Sequence, residues 1–128
     1  MERVLGIGGI FFKARDPKRL ATWYRDHLGV PIEGGESFGT FAAESAQEGT
    51  PEDVVWSTFP EETTYFDPSP ASFMVNYRVR DLDKMLDQLR EAGVEVDDRV
   101  ESHVFGRFGW TVDPEGNRFE LWEPSRDA

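Results

Sequence analysis

The sequence contains no cysteine, only two histidines and no long apolar segment, and each absence narrows what the protein can do. Without cysteine, disulfides and thiolate zinc sites are excluded. No segment approaches the ~18 apolar residues of a membrane-spanning helix. The first residues also lack the charged and apolar regions of a signal peptide. We therefore expect a cytoplasmic protein that does not span a membrane.

Basic residues are also scarce, with 14 Lys and Arg against 25 Asp and Glu, so the formal net charge is −11. This balance argues against nucleic acid as a partner, because phosphates favour a basic surface. The acidic residues are dispersed in pairs such as Glu61-Glu62 and Asp97-Asp98. They are therefore interpreted as a solvated surface, which would suit a cationic ligand better than an anionic one.

What the chain does have is an internal repeat about 64 residues long. Asp16 and Asp81 each follow an apolar run and are placed to cap a helix at its N-terminus. Gly29 and Gly93 close the two helical patterns. Each half is predicted to form a strand, a helix and three further strands. At 128 residues the chain is expected to be a single domain, with module one at 4–60, a linker at 61–70 and module two at 71–124.

The predicted strands follow from runs of apolar and alternating residues between turn signals. In module one they cover residues 4–14, two short segments within 30–46, and 54–59. In module two they cover 71–79, 94–104, 107–112 and 119–123.

Two parts of the chain carry a resemblance to a known group of proteins. The turn 113–117, followed by Phe119-Glu120-Leu121, looks like the closing hairpin of the vicinal oxygen chelate superfamily. Arg15-Asp16-Pro17, with Trp23-Tyr24 and Leu28-Gly29, looks like the first module of that superfamily, which includes glyoxalase I, bleomycin-resistance proteins and extradiol dioxygenases. The resemblance implies an α+β fold. Its two tandem βαβββ modules would form an eight-stranded curled mixed sheet, an open cup with the helices outside.

The resemblance also implies four positions where the superfamily usually holds a divalent metal. Counting back from the two helix-capping aspartates gives Gly9 and Met74. The other two positions are Glu120 in the last strand and Trp56, which matches it when Pro60 is aligned with Pro124. Only Glu120 can bind a hard metal ion. One carboxylate does not make a metal site. We therefore expect no metal and no other cofactor.

Strand alternation predicts which other side chains face into the cup. The expected ligand-binding residues combine an apolar base with a few polar groups: Phe11, Lys13, Trp56, Met74, Asn76 and Arg78. The aromatic segment 105–110 adds Phe105, and Arg107 as a candidate anion clamp. In the alternative interpretation these side chains fill the cup, Arg78 pairs with Glu120, and Arg107 only covers apolar surface.

The histidines add little to these expectations. His27 is predicted to lie at the C-terminus of the first helix, where a cation favours the helix dipole. His103 is predicted near the rim of the cup, either as a general base or as a half-exposed strand residue.

Three functions remain open. The first is metal-independent binding of a small, partly aromatic molecule. The second is a lyase, isomerase or dioxygenase of the glyoxalase type that uses Glu120 as its base. The third is a structural or regulatory role without a ligand. A homodimer is expected in each case.

Overall fold

The computed structural model describes residues 1–41 and 53–125. Within them the chain forms two helices and seven strands, in this order: β1 (Gly6–Ala14), α1 (Pro17–Leu28), β2 (Phe38–Phe41), β3 (Val54–Pro60), β4 (Phe73–Arg78), α2 (Leu82–Glu91), β5 (Glu101–His103), β6 (Gly106–Val112) and β7 (Arg118–Pro124). Neither described helix is long and apolar enough to cross a membrane.

Both helices begin where the sequence predicts. The side chain of Asp16 accepts a hydrogen bond from the backbone N–H of Arg19, and that of Asp81 accepts one from Lys84. These bonds satisfy N–H groups that the first helical turn leaves without partners. Helix α1 ends at Gly29, whose φ of 73° is a left-handed conformation that glycine adopts without steric cost.

The seven strands form one curled mixed sheet in the order β2-β3-β1-β4-β7-β6-β5. The middle strands β1 and β4 are antiparallel and join the two modules. Each also has a parallel partner within its own module, β3 for β1 and β7 for β4. The sheet therefore combines two similar halves, as the repeat in the sequence predicts.

The prediction of eight strands is wrong for the described residues. Module one has one strand fewer than expected, because residues 30–37 contribute only an isolated bridge between Ile32 and Gly39. Pro31 lacks a backbone donor, and Gly35 takes a left-handed conformation with φ of 75°, so neither supports a continuous ladder. The end of the segment predicted as strand, residues 42–46, lies outside the described residues. In module two the predicted strand 94–104 shortens to β5 and a bridge at Val96.

The hydrophobic core lies on both faces of the sheet. On the outer face, α1 packs over Trp56 of β3, and α2 packs over Leu121 of β7. The inner face has its own cluster of four buried residues: Phe11, Phe66, Met74 and Trp110. Phe66 belongs to the segment predicted as a linker, yet it is fully buried. The segment between the modules therefore folds onto the inner face.

This burial predicts that Phe66→Ala will destabilise the protein by about 3–5 kcal/mol, the usual cost of removing a buried aromatic ring. Phe73→Ala is the matched control, since it removes the same atoms from a side chain that is 45% exposed. Urea unfolding of the two variants should show a much smaller loss for Phe73→Ala. A loss for Phe66→Ala as small as that for Phe73→Ala would mean that the segment between the modules contributes little to the core.

Candidate functional site

The inner face of the sheet encloses an open cavity of about 380 Å³. Its lining is mostly aromatic and comes from both modules and the connecting segment: Gly8, Phe11, Phe38, Thr40, Val55, Ser57, Phe59, Tyr65, Asn76, Phe105, Phe108, Glu120 and Trp122. Small-molecule sites are of this size and kind, apolar with a few polar groups. The side chains of residues 1–41 and 53–125 therefore leave the cup open.

The polar end of the cavity is built around the carboxylate of Glu120, which is 1% exposed. Asn76 Nδ2 donates a hydrogen bond of 2.6 Å to Oε1. Trp110 Nε1 donates one of 2.8 Å to Oε2, and the Tyr65 hydroxyl bonds to the same oxygen. The three partners come from β4, β6 and the connecting segment. The carboxylate therefore joins three separate parts of the chain.

Burial disfavours the charged forms of Glu120 and Tyr65 relative to their neutral forms. Loss of solvent raises the pKa of Glu120, and the three hydrogen bonds oppose that rise only in part. Burial and the neighbouring Glu120 carboxylate also raise the pKa of Tyr65, so its hydroxyl stays protonated.

Strand register explains why these residues meet. Asn76 of β4 is paired with Glu120 of β7, and Glu120 is paired with Trp110 of β6. On the other side Asn76 is paired with Gly9 of β1, which is paired with Val55 of β3. Residues paired across a sheet point to the same face. The row therefore runs across the cup floor, with its polar groups in module two.

Gly8 is the extra residue of a β-bulge in β1, since the pairing with β4 shifts between Ile7 and Gly9. A Cβ at this position would stand directly against Asn76 Oδ1 and 2.8 Å from Trp122 Cε3. Any side chain at Gly8 would therefore push into the cup beside Asn76.

The predicted inward orientation of Trp56 is wrong. Trp56 packs on the outer face with Ala21 of α1, and the adjacent inner positions of β3 are Val55 and Ser57. The error comes from matching Pro60 with Pro124. Moving a strand by one residue exchanges its two faces.

Strand pairing gives the correct equivalence for β3. Phe11 and Asn76 each lie five residues before a capping aspartate (16 − 11 and 81 − 76). Phe11 is paired with Ser57, and Asn76 is paired with Glu120. Ser57 is therefore the module-one equivalent of Glu120.

The four positions that the resemblance implies for a metal thus become Gly9, Ser57, Met74 and Glu120. A glycine, a serine hydroxyl and a thioether do not form a metal-binding set with one carboxylate. No group of three or more His, Cys, Asp or Glu side chains suitable for a metal occurs within residues 1–41 and 53–125. The residues at the site do not fit a divalent metal.

Three of the predicted ligand-binding residues line the cavity: Phe11, Asn76 and Phe105. Met74 faces the same side but is fully buried in the inner cluster. Lys13 lies with its Nζ 5.4 Å from the centre of the Phe66 ring, a cation–π contact next to the inner cluster.

Arg78 does not pair with Glu120, so that part of the alternative interpretation is wrong. Its Nη1 donates to the backbone carbonyl oxygens of Ile7, at 2.9 Å, and Asp53, at 3.1 Å. Arg78 therefore links β4 to the starts of β1 and β3 instead of presenting its guanidinium to the cavity.

Arg107 does not act as an anion clamp in the cup. Its guanidinium makes two hydrogen bonds, 2.9 and 3.1 Å, to the carboxylate of Asp83 in α2. These bonds lower the pKa of Asp83. Helix α2 covers the outer face, so Arg107 points away from the cavity, while the next residue, Phe108, lines it.

The histidines lie away from the cavity floor. His103 of β5 is exposed and bonds Glu101 at 3.0 Å beside the Phe108 ring. This is the rim position that the sequence predicts. His27 lies in the last turn of α1, where its ring contacts Trp23.

Sequence reasoning missed Tyr65, Phe59 and Phe38. Tyr65 lies between Pro60 and Pro68 in a segment interpreted as a linker, and no local pattern indicates that it reaches Glu120. Phe59 could have been predicted to face the cup, because it lies on the same face of β3 as Ser57. That prediction depended on the correct register for β3.

Comparisons with known proteins agree with this architecture. Residues 9–122 match the family described as glyoxalase-like domain. Methylmalonyl-CoA epimerase from Mycobacterium tuberculosis is similar with a TM-score of 0.61 and 24% identity, over 95% of this chain and 89% of the epimerase. A glyoxalase/bleomycin resistance protein/dioxygenase superfamily member from Vibrio splendidus 12B01 gives a TM-score of 0.57 and 17% identity, over 94% of this chain and 97% of that protein.

A Streptomyces coelicolor methylmalonyl-CoA epimerase variant in complex with 2-nitronate-propionyl-CoA gives a TM-score of 0.63 and 15% identity, over 93% of this chain and 94% of that one. No curated protein sequence is significantly similar to this chain. At these identities the structural likeness is evidence for a shared fold.

The raised pKa of Glu120 predicts a pH dependence of stability. A carboxyl group that is harder to ionise in the folded protein keeps its proton to a higher pH than in the unfolded chain. Stability should therefore fall as pH rises from about 4.5 through the folded pKa. Glu120→Gln removes this titration and leaves the others. In urea unfolding from about pH 4 to about pH 8, wild type should lose stability relative to Glu120→Gln. A relative gain would contradict the direction of the shift.

Proposed function

The chain belongs to the glyoxalase-like domain family, as the sequence resemblance predicts, and on that premise we propose that its cup binds a small, partly aromatic molecule without a metal ion. The observation that carries this proposal is the open aromatic cavity that ends on the buried carboxylate of Glu120. The aromatic walls offer faces and edges for a flat apolar body. The polar floor offers fixed hydrogen-bonding groups that would orient it.

The depth of the polar groups supports binding at a defined position. Asn76 and Glu120 are 2% and 1% exposed, and each is held by neighbouring strands of the same sheet. Groups held on rigid elements lose little freedom when a ligand arrives, which favours affinity. Metal independence is supported by the side chains at the four equivalent positions, because Glu120 is the one carboxylate among them and none is a histidine.

Two treatments test this proposal in a calorimetric screen of small aromatic compounds. Binding should be unchanged after incubation with a chelator, because no ligand contact would pass through a metal. Gly8→Ala should weaken binding at least about tenfold, or 1.4 kcal/mol, by placing a methyl group beside Asn76 Oδ1 and the Trp122 ring.

Gly34→Ala is the matched control, since its added methyl group meets no atom within 4 Å. Binding abolished by the chelator would contradict metal independence. Absence of any saturable binding, or equal binding by the Gly8→Ala and wild-type proteins, would refute the cup as the binding site.

A second function is favoured by one observation, the contact between the Tyr65 hydroxyl and Glu120 at the cavity floor. A carboxylate whose pKa is raised by burial is a stronger base than an ordinary one, which suits it to abstract a proton. Tyr65 would remain the proton donor of the pair. In this candidate function Glu120 acts as the general base of an isomerase or lyase that removes a proton from carbon next to a carbonyl.

Deuterium exchange tests the catalytic candidate. Hemithioacetals and methylmalonyl-CoA both carry such an acidic C–H bond. Incubation in D₂O with the protein should replace that hydrogen, as followed by proton NMR. Glu120→Gln should slow the exchange by about 10²-fold or more. Exchange that persists in Glu120→Gln, or that stops with a chelator, would exclude Glu120 as a metal-independent base.

A further inference from the structure

The carboxylate of Glu120 forms no ion pair with any side chain in residues 1–41 and 53–125. Its three hydrogen-bond partners, Tyr65, Asn76 and Trp110, are all neutral groups. A buried charge is costly unless an opposite charge compensates it, and hydrogen bonds from neutral groups compensate only in part. The described side chains therefore provide no ion-pair partner for the Glu120 carboxylate at the floor of the cup.

The arginines of β4 and β7 are already bound elsewhere. The Arg78 guanidinium bonds two backbone carbonyl oxygens. Arg118 pairs with Asp97 at 3.3 Å and lies against the Trp110 ring, 5.3 Å from its centre. The positive charge of Arg118 opposes the rise that burial causes in the pKa of Glu120, but the two side chains form no ion pair. No lysine or arginine occurs among the side chains that line the described cavity.

Asn76 provides a second hydrogen-bond acceptor beside the Glu120 carboxylate. Asn76 Oδ1 is buried and has no hydrogen-bond partner among the described residues. Its position follows from the network, because the Nδ2 group of the same amide donates to Glu120 Oε1. The cavity floor thus has a carboxylate and an unsatisfied carbonyl oxygen side by side. Both accept hydrogen bonds, so the floor favours a ligand that donates them.

The walls of the cavity favour a positively charged ligand. Phe11, Phe59, Phe108 and Trp122 surround the floor. The faces of aromatic rings attract cations, and this attraction grows when water is excluded. An anionic group would meet ring faces and a carboxylate, both unfavourable.

We propose that the ligand of this cup carries a protonated amine or amidine on a flat apolar body, with the cationic group bound between Glu120 and Asn76. This inference rests on the proposed binding function and specifies the charge of the ligand. The cation would donate hydrogen bonds to Glu120 Oε1 and to Asn76 Oδ1. It would also supply the opposite charge that the buried carboxylate lacks. The net charge of −11 would further attract such a ligand toward the protein.

Three probes of almost equal shape test the charge preference: 2-naphthylmethylamine, 2-naphthylmethanol and 2-naphthoate. They are cationic, neutral and anionic near neutral pH. Titration calorimetry on the wild-type protein should show the amine binding at least about tenfold more tightly than the alcohol, with the naphthoate weakest. This comparison needs no variant, so it does not depend on a substitution that folds.

Glu120→Gln should then remove the preference, so that the amine binds no more tightly than the alcohol. Glu101→Gln is the matched control, because it removes an equal charge from a rim carboxylate that already pairs with Arg99. Alcohol or naphthoate binding as tightly as the amine would overturn the inference and leave the binding function standing. A preference that persists in Glu120→Gln would also overturn it. No saturable binding of any of the three, with none in the wider aromatic screen, would overturn both.

Discussion

The inner face of the sheet depends on the hydrogen bonds to the buried carboxylate of Glu120. Its partners come from β4, β6 and the segment between the modules, so one side chain connects parts of the chain that are far apart in sequence. A buried carboxylate must have these donors, since an unsatisfied one would cost several kcal/mol. The connecting segment is held on the inner face by this requirement and by the burial of Phe66. The cavity lies above the network, so the same bonds that stabilise the sheet also form the cavity floor.

Local signals in the sequence predicted the parts of the fold that local physics controls. Asp16 and Asp81 cap the two helices, and Gly29 ends the first, because capping depends on a few neighbouring residues. The sequence resemblance to the vicinal oxygen chelate superfamily predicted a curled mixed sheet with two helices outside it, and the described residues form such a sheet with seven strands instead of eight. Of the two short strands predicted within residues 30–46, none forms in 30–37, where the geometry of Pro31 and Gly35 opposes a continuous ladder.

The site was harder to predict, because it depends on register and on distant partners. Asn76 and Glu120 were placed correctly on the inner face, and strand pairing brings them together. Trp56 was placed on the wrong face by a one-residue error, which in a strand exchanges inside and outside. Arg107 looked available for an anion because nothing in the sequence indicates that Asp83 of α2 lies beside it. Tyr65 has no periodic pattern around it, and only the folded chain brings its hydroxyl to Glu120.

The two halves of the sheet are similar in backbone but unequal in what they offer an occupant of the cup. Module one contributes small or apolar groups at the centre, with Gly8, Gly9 and Ser57 where module two has bulkier or charged side chains. Module two contributes Asn76 and Glu120. The cup is in this way polarised, with small residues at its centre on the module-one side and the polar groups Asn76 and Glu120 on the module-two side. Changes in module one would then alter which shapes fit, and changes in module two which chemical groups are accepted.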